Sequence, residues 1–263
     1  MLTLPHIDHG KEFDWWLSSK DYARYRDIYP DEYYGTITGL GLCLQGQAIL
    51  DLGTGTGVLP RNMYKYGARW TGTDISGNQI DEAKRLAAES NMDIDFFAAP
   101  AENTGLPDDI YDVVTAAQCF QYFDKAKVLP EIARMLRPNG RFLTLFMAWL
   151  PHESGIAAKS EELVLKYNPA WNSNGMERDA LAEPEWSREH FTCMNLITYA
   201  VPVKFTPDSW HGRILACRGI GASSLSKEQI AEWSKEHIAY MDTLPESFDI
   251  PHWVSIMDFM VKK

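Results

Sequence analysis

The sequence has little positive charge, few cysteines and no long hydrophobic run. Its 263 residues contain 25 Lys and Arg against 36 Asp and Glu, which gives a formal net charge of −11. Binding to DNA, RNA or an anionic membrane surface depends on a basic face, so this composition argues against each of these partners. The longest apolar stretch, residues 142–150, is far shorter than the ~20 residues that cross a bilayer, and we expect no membrane-spanning helix.

The four cysteines, Cys43, Cys119, Cys193 and Cys217, are far apart and include no C-x-x-C pair. Such spacing is not typical of a zinc site or of a disulfide framework, so we expect no bound metal and four ordinary thiols. The N-terminal residues carry charged side chains where a signal peptide would have an apolar core. We therefore expect a cytoplasmic protein.

Short apolar runs alternate with helical patterns in the central part of the chain. Strands are predicted at 48–52, 70–74, 94–97, 111–116 and 141–147, and helices at 58–66, 79–90 and 127–136. Strands that alternate with helices form parallel sheets with right-handed crossovers. With two further strands at 191–205 and 252–261, we predict an α/β fold with a doubly wound, seven-stranded, mostly parallel sheet.

The other segments are predicted to add helices to this core. Residues 1–45 are expected to form two short helices separated by Pro30, the second of them capped by Asp31. Residues 46–150 form the core, and residues 151–263 contain helical cap insertions and the last two strands. The helices of these insertions are expected at 157–167 and from 206 to about 244.

A glycine-rich loop follows the first predicted strand and is the strongest functional signal. The run Asp51-Leu52-Gly53-Thr54-Gly55-Thr56-Gly57 places three glycines where the backbone must turn sharply and approach a ligand. The dinucleotide fingerprint G-x-G-x-x-G would need its last glycine at position 58, which is Val58. This argues against an NAD(P)-dependent oxidoreductase, which remains as an alternative.

The loop resembles motif I of the class I S-adenosylmethionine-dependent methyltransferases, and the resemblance extends over residues 46–148. Asp74 follows the second strand, where the family has an acid that bonds both ribose hydroxyls, and Ile75 stands where a side chain packs on adenine. Later family motifs are matched in order by Ala101-Glu102, residues 118–124 and residues 136–141. The pattern is similar to small-molecule enzymes of the methyltransferase domain 11 and ubiquinone-biosynthesis group, which have a Rossmann-like fold.

The resemblance implies S-adenosylmethionine as the cofactor and assigns the residues that hold it. The expected cofactor-binding residues are Tyr22, Arg26, Asp51, Gly53, Thr54, Gly55, Gly57, Asp74, Ile75, Gln79, Ala101, Glu102 and Gln118. Tyr22 and Arg26 share a helical face in a lid-like segment, where Arg26 pairs either with the cofactor's carboxylate or with acidic neighbours. Pro100 replaces an aspartate that bonds the adenine amino group in many relatives, so that contact is lost or passes to Glu102.

A small-molecule acceptor is expected, because similar enzymes line the acceptor pocket with a helical cap between the sixth and seventh strands. The candidates in this chain are Trp210, His211, Arg213 and Arg218. In the alternative, the arginines pair with neighbouring acids and the tryptophan belongs to the core. A general base is needed only if the acceptor must lose a proton, and the candidates for it are Tyr122, His152 and His211. A protein that binds S-adenosylmethionine or S-adenosylhomocysteine without turnover is a third hypothesis, and the sequence does not define the oligomeric state.

Overall fold

The computed structural model describes residues 3–13, 25 and 27–263, and a seven-stranded sheet organises this part of the chain. The strands are β1 (Ala48–Leu52), β2 (Arg69–Asp74), β3 (Asp95–Ala98), β4 (Tyr111–Ala117), β5 (Leu136–Trp149), β6 (Phe191–Phe205) and β7 (Phe248–Val261). Their order across the sheet is β3-β2-β1-β4-β5-β7-β6. The neighbours from β3 to β5 pair in parallel, which confirms the predicted doubly wound arrangement.

Helices precede, connect and follow these strands. They are α1 (Asp31–Gly39), α2 (Val58–Met63), α3 (Gly77–Glu89), α4 (Lys125–Met135), α5 (Gly155–Tyr167), α6 (Pro207–Leu215) and α7 (Lys227–Met241). Most begin at a side-chain cap: Ser76 before α3 and Ser154 before α5 each accept a hydrogen bond from a backbone N–H of the first turn. Such caps satisfy backbone donors that have no partner inside the helix.

One prediction about a helix end was wrong. Asp31 is the first residue of α1 and not its cap; the capping position is Pro30, which has no side-chain acceptor to offer. The helical region predicted from 206 to about 244 is present and consists of two helices, α6 and α7, because the chain leaves the helix after Leu215 and Ser226 caps a new one.

The core explains why β1 and its neighbours hold their loops rigidly. Every residue of β1 is buried, as expected for a central parallel strand. Leu50 and Leu52 of β1 pack with Val114 of β4 and with Ile132 of α4 in one apolar cluster. The strand order reverses between β1 and β4, and ligands of open α/β sheets bind at the carboxyl ends of strands at such a point.

The chain divides into two compact units. Unit 1 consists of Met1–Ile28, Ala148–Asp179 and Ala200–Trp253, and unit 2 of Tyr29–Met147, Ala180–Tyr199 and Val254–Lys263. The division into segments 1–45, 46–150 and 151–263 stays a prediction. In the described ranges, no helix combines the length and the apolar character needed to cross a membrane.

Candidate active site

The glycine loop after β1, in unit 2, has a backbone that only glycine adopts easily. Gly53, Gly55 and Gly57 have φ angles of 62°, 57° and 73°, all in the left-handed region. A Cβ atom on Gly53 would lie 2.7 Å from Cys119 Sγ, and one on Gly57 would lie 2.7 Å from the Phe96 ring. The loop therefore packs closely against Cys119 and Phe96, and neither glycine leaves room for a side chain.

Asp74, at the end of β2, lies beside this loop as the sequence predicts. Its Oδ2 accepts the Gly55 N–H at 3.0 Å, and its Oδ1 accepts the Ser76 N–H at 2.8 Å. Burial raises the pKa of this carboxyl, while the two backbone hydrogen bonds lower it. The carboxylate thus joins the loop to the start of α3, where Ser76 Oγ accepts the backbone N–H of the buried Gln79 at 3.4 Å. Ribose binding by Asp74 stays a prediction.

Ile75, which follows Asp74, is an exposed apolar side chain with 57% of its surface accessible. Its position leaves an apolar surface directly beside the Asp74 carboxylate, and packing of adenine on Ile75 stays a prediction. Ala101 is buried, whereas the half-buried Glu102 accepts the backbone N–H of Asp124 at 2.9 Å. Glu102 is therefore already engaged with the loop after β4.

Asp51, the first residue of the motif, is buried beneath the loop. Its Oδ1 accepts a hydrogen bond from Thr115 Oγ1 of β4 at 2.6 Å. Burial raises the pKa of the Asp51 carboxyl to about 6, against the lowering effect of the Thr115 and Thr54 hydroxyls and with a smaller increase from the Asp74 charge. Sequence reasoning missed Thr115, although a threonine within an otherwise apolar strand was a visible signal.

Gln118, after β4, reaches the same end of the sheet in a left-handed conformation, with a φ of 65°. Its side-chain Nε2 donates to the Met147 carbonyl at 2.6 Å, and its own carbonyl accepts from Gln121 Nε2 at 2.9 Å. Cys119 Sγ contacts the Leu52 carbonyl at 3.1 Å and supports the glycine loop, a role that the sequence did not indicate. The ends of β1, β2 and β4 therefore bring Asp51, Asp74 and Gln118 to one edge of the sheet.

Several predicted residues are not part of this group. Tyr22 and Arg26 lie outside the described residues. Tyr122 ends a short 3-10 turn, Phe120–Tyr122, that follows Gln118 in unit 2. His152, in unit 1, is exposed, and its Nε2 lies 3.5 Å from Glu177 Oε1. Roles of Tyr122 and His152 as bases stay predictions.

In unit 1, Trp210 and Arg213 of α6 both pack against Trp149. Trp210 is buried, donates its Nε1–H to Ser160 Oγ at 2.9 Å, and packs edge-on against Trp149 at 5.6 Å between ring centroids. The buried Arg213 guanidinium lies over the Trp149 ring at 4.8 Å, within the range of a cation–π interaction. Trp149 Nε1 in turn donates to the buried Glu161 at 2.7 Å. This packing favours the core role for Trp210.

The other two cap candidates have partners of their own. Arg218 forms a buried ion pair with Asp8, with 2.6 Å between Nε and Oδ2. This is the pairing with a neighbouring acid that the sequence left as the alternative. His211 is half-buried, and its two ring nitrogens contact His237 at 2.9 Å and Ser234 at 3.1 Å.

Comparisons with known proteins agree with this geometry. Residues 50–144 match the family model described as "Methyltransferase domain". The ubiquinone biosynthesis O-methyltransferase of Aeromonas salmonicida is 33% identical over 129 residues, which cover 48% of this chain and 54% of that protein. The protein of the same name from Klebsiella pneumoniae is 29% identical over 179 residues, covering 63% and 72%. The crystal structure of YcgJ from Bacillus subtilis shares the fold, with a TM-score of 0.55, 22% identity, and coverage of 89% of this chain and 100% of that one.

The strand order is that of the class I methyltransferase fold, and residues 50–144 carry a methyltransferase domain. The chain is similar to S-adenosylmethionine-dependent methyltransferases of this class over that domain, and S-adenosylmethionine is the cofactor that the domain indicates. The residues present fit S-adenosylmethionine. Gly55 has no side chain in the way of a ligand, its N–H bonds the Asp74 carboxylate, and Ile75 next to Asp74 offers an exposed apolar surface. The relatives named above are methyltransferases, which speaks against the NAD(P) alternative.

Proposed function

We propose that this protein methylates a small-molecule acceptor by in-line transfer from S-adenosylmethionine. The observation that carries the proposal is the exposed Ile75 next to the Asp74 carboxylate, at the edge of a left-handed glycine loop. An apolar face for a base and two carboxylate oxygens for vicinal hydroxyls suit an adenosine group. The acidic composition supports a small molecule over a nucleic acid as acceptor.

We further propose that the methylated atom is an oxygen on an aromatic or partly apolar molecule. The Aeromonas and Klebsiella relatives are named as O-methyltransferases of ubiquinone biosynthesis, which supports this choice. The new bond joins the acceptor oxygen to the methyl carbon, the sulfur–methyl bond breaks, and the hydroxyl proton leaves to a base or to water.

The chain's own residues act mainly by positioning. When bound, the cofactor supplies a methyl group that its sulfonium already activates. The protein must then align acceptor and methyl group, which lowers the barrier by removing translational and rotational freedom in advance. The glycine loop, Asp74 and Ile75 are proposed to fix the adenosine part, and Gln118 the methionine part. Tyr122, which follows Gln118 in unit 2, is proposed as the base only for acceptors that need one.

We also infer a cytoplasmic location without nucleic-acid or membrane partners. All four cysteines lie in the described part of the chain and none forms a disulfide there, which suits a reducing compartment.

Calorimetry and product analysis test the proposal. The purified protein is titrated with S-adenosylmethionine, S-adenosylhomocysteine and NAD. We expect micromolar binding of the first two and none of NAD. A panel of catechols, phenols, carboxylic acids and amines is then screened for S-adenosylhomocysteine release. Methylation of phenolic hydroxyls supports the oxygen assignment, transfer to amines alone contradicts it, and tight binding without turnover on any acceptor favours the non-catalytic hypothesis.

A further inference from the structure

A chain of polar side chains links the three helices α5, α6 and α7 of unit 1. Ser234 Oγ of α7 lies 3.1 Å from His211 Nε2 of α6, and His211 Nδ1 lies 2.9 Å from His237 Nδ1 of α7. His237 Nε2 continues to Ser160 Oγ of α5 at 3.0 Å, and Ser160 Oγ lies 2.9 Å from the Ile156 carbonyl. The two imidazoles are thus the middle of a continuous hydrogen-bonded path.

The contact between two Nδ1 atoms requires one of them to donate and the other to accept. If Ser160 donates to the Ile156 carbonyl, His237 Nε2–H donates to Ser160, and His237 Nδ1 is the acceptor. His211 Nδ1–H then donates to His237, and His211 Nε2 accepts from Ser234. The reverse direction, starting with Ser160 donating to His237, satisfies the same imidazole contacts. In either direction both rings are uncharged.

The path tolerates one added proton but not two. A proton on His211 leaves the hydrogen bond between the Nδ1 atoms intact, since the other ring still accepts. A second proton, on His237, places two N–H groups against each other and two positive charges on rings whose centroids are 5.1 Å apart. The contact between α6 and α7 is then repulsive.

The surroundings direct the first proton to His211 and keep it away from His237. His211 is half-buried and near Asp208 of α6, which raises its pKa, although burial lowers it more. His237 is buried, and burial together with His211 lowers its pKa to about 3. Trp233 stacks on both rings, with centroid distances of 5.2 Å and 4.9 Å.

Two ion pairs also lie on these helices. On α5, Lys159 pairs with Glu162 at 2.7 Å, and Lys166 pairs with Glu236 of α7 at 2.6 Å. Tyr240 of α7 meets His237 edge-on, with 6.4 Å between ring centroids. In the part of the chain that the structure describes, no carboxylate contributes to the pKa of His237, so nothing there compensates a charge on this ring.

We propose that the His211–His237 pair is an acid-sensitive tie, which holds α5, α6 and α7 together while uncharged and releases them when a second proton enters. Because α7 packs against both other helices, the tie controls the whole three-helix group. The sign follows from proton linkage: the unfolded chain protonates His237 more readily than the native protein. The contribution of this residue is therefore complete above pH ~6.5 and is lost as the pH falls toward 3.

Urea unfolding as a function of pH tests the tie. Between pH 7.5 and pH 5, the folding equilibrium constant of the parent should fall about thirtyfold more than that of His237→Gln, given an unfolded-state pKa of ~6.5. The exposed His152 is the matched control, and His152→Gln should follow the parent curve. His252, a second buried histidine with a low pKa, is present in both proteins and cancels in the comparison.

Two measurements on the parent protein keep the proposal testable if the variant does not fold. Imidazole nitrogen NMR should show His237 uncharged at pH 5, and His211 should take up its proton at a higher pH than His237. Hydrogen exchange, corrected for intrinsic rates, should lose protection in α6 and α7 at a higher pH than in β1 and β4. A native-state His237 pKa near 6.5, equal pH slopes for parent and His237→Gln, or simultaneous loss of protection in all these elements would overturn the proposal.

Discussion

The carboxylate of Asp74 and the backbone N–H of Gly55 form a hydrogen bond of 3.0 Å, which joins the end of β2 to the middle of the glycine loop. A second oxygen of the same carboxylate holds the start of α3 through Ser76. Asp74 therefore fixes the glycine loop and the start of α3, and the proposed ribose contact would give the same carboxylate a second role.

Replacing Asp74 by alanine should weaken S-adenosylmethionine binding by more than tenfold, or at least ~1.4 kcal/mol. Hydrogen bonds to a charged group contribute ~1.5–3 kcal/mol, and the loop also loses its anchor. Calorimetric Kd values provide the measurement. Asp81→Ala, which removes an exposed acid from α3, is the control and should bind like the parent. Equal Kd values for Asp74→Ala and the parent would show that the ribose is bound elsewhere.

Substitution of Gly55 by valine should abolish cofactor binding. The φ of 57° at this residue is unfavourable for a β-branched side chain, so the loop must change shape. Titration with S-adenosylhomocysteine measures the loss, and circular dichroism verifies that the sheet is retained. Gly155→Ala, at the open first position of α5, should bind normally. Normal binding by Gly55→Val would contradict the proposed path of the ligand.

The positions of the glycine loop and of Asp74 could be predicted because their signals are local. Both lie at the ends of short strands, and periodicity places those strands correctly. The partners of Asp51 and Arg218 could not be predicted in the same way. Thr115 is 64 positions from Asp51, and Asp8 is far from Arg218 in the sequence. Only the packed fold determines which of many polar residues meet.

The boundaries of longer elements were harder to predict. β5 was expected at 141–147 but runs from Leu136 to Trp149. The turn-like sequence Arg137-Pro138-Asn139-Gly140 argued against a strand there. The turn is retained as an irregularity inside the strand: Asn139 has a φ of 64°, and the pairing with β4 passes from Leu136–Tyr111 to Arg141–Val113. Arg137, within the irregularity, bonds Asp112 of β4 at 2.8 Å.

Asp51→Asn should stabilise the protein at neutral pH while weakening cofactor binding. With a native pKa of about 6, against ~3.9 in the unfolded chain, the ionised carboxyl costs about 3 kcal/mol above pH 7. The native protein binds this proton more tightly than the unfolded chain, so the cost declines as the pH falls through 6. Asparagine still accepts from Thr115 but carries no charge.

Urea unfolding at pH 7.5 and pH 5 measures this effect. The advantage of Asp51→Asn over the parent should be largest at pH 7.5 and fall to about half at pH 5. Thr115→Val, which removes the hydroxyl donor and leaves the charge, should instead destabilise the protein at pH 7.5. A stability difference between Asp51→Asn and the parent that does not change with pH would show that the pKa of this carboxyl is not raised in the native state.

Asp8→Ala should destabilise unit 1 by about 3–5 kcal/mol, because it leaves the buried Arg218 guanidinium without its carboxylate. Thermal or urea unfolding of Asp8→Ala, Arg218→Met and the double variant gives the interaction free energy between the two side chains, separate from their contacts with other residues. The double variant should recover most of the loss, since neither charge then remains buried. Arg178 and Glu153 form an exposed ion pair, and the control Arg178→Met should leave the free energy of unfolding nearly unchanged.

The same variants decide between the two roles of Arg218. If Arg218 serves only to pair with Asp8, Arg218→Met should lower stability and leave the KM for the acceptor unchanged in the folded enzyme. If Arg218 binds the acceptor, the KM should rise, even in the double variant whose stability is restored. Since Asp8 Oδ1 also accepts the Asn172 N–H at 2.9 Å, the pair anchors a second loop, and we expect the first outcome.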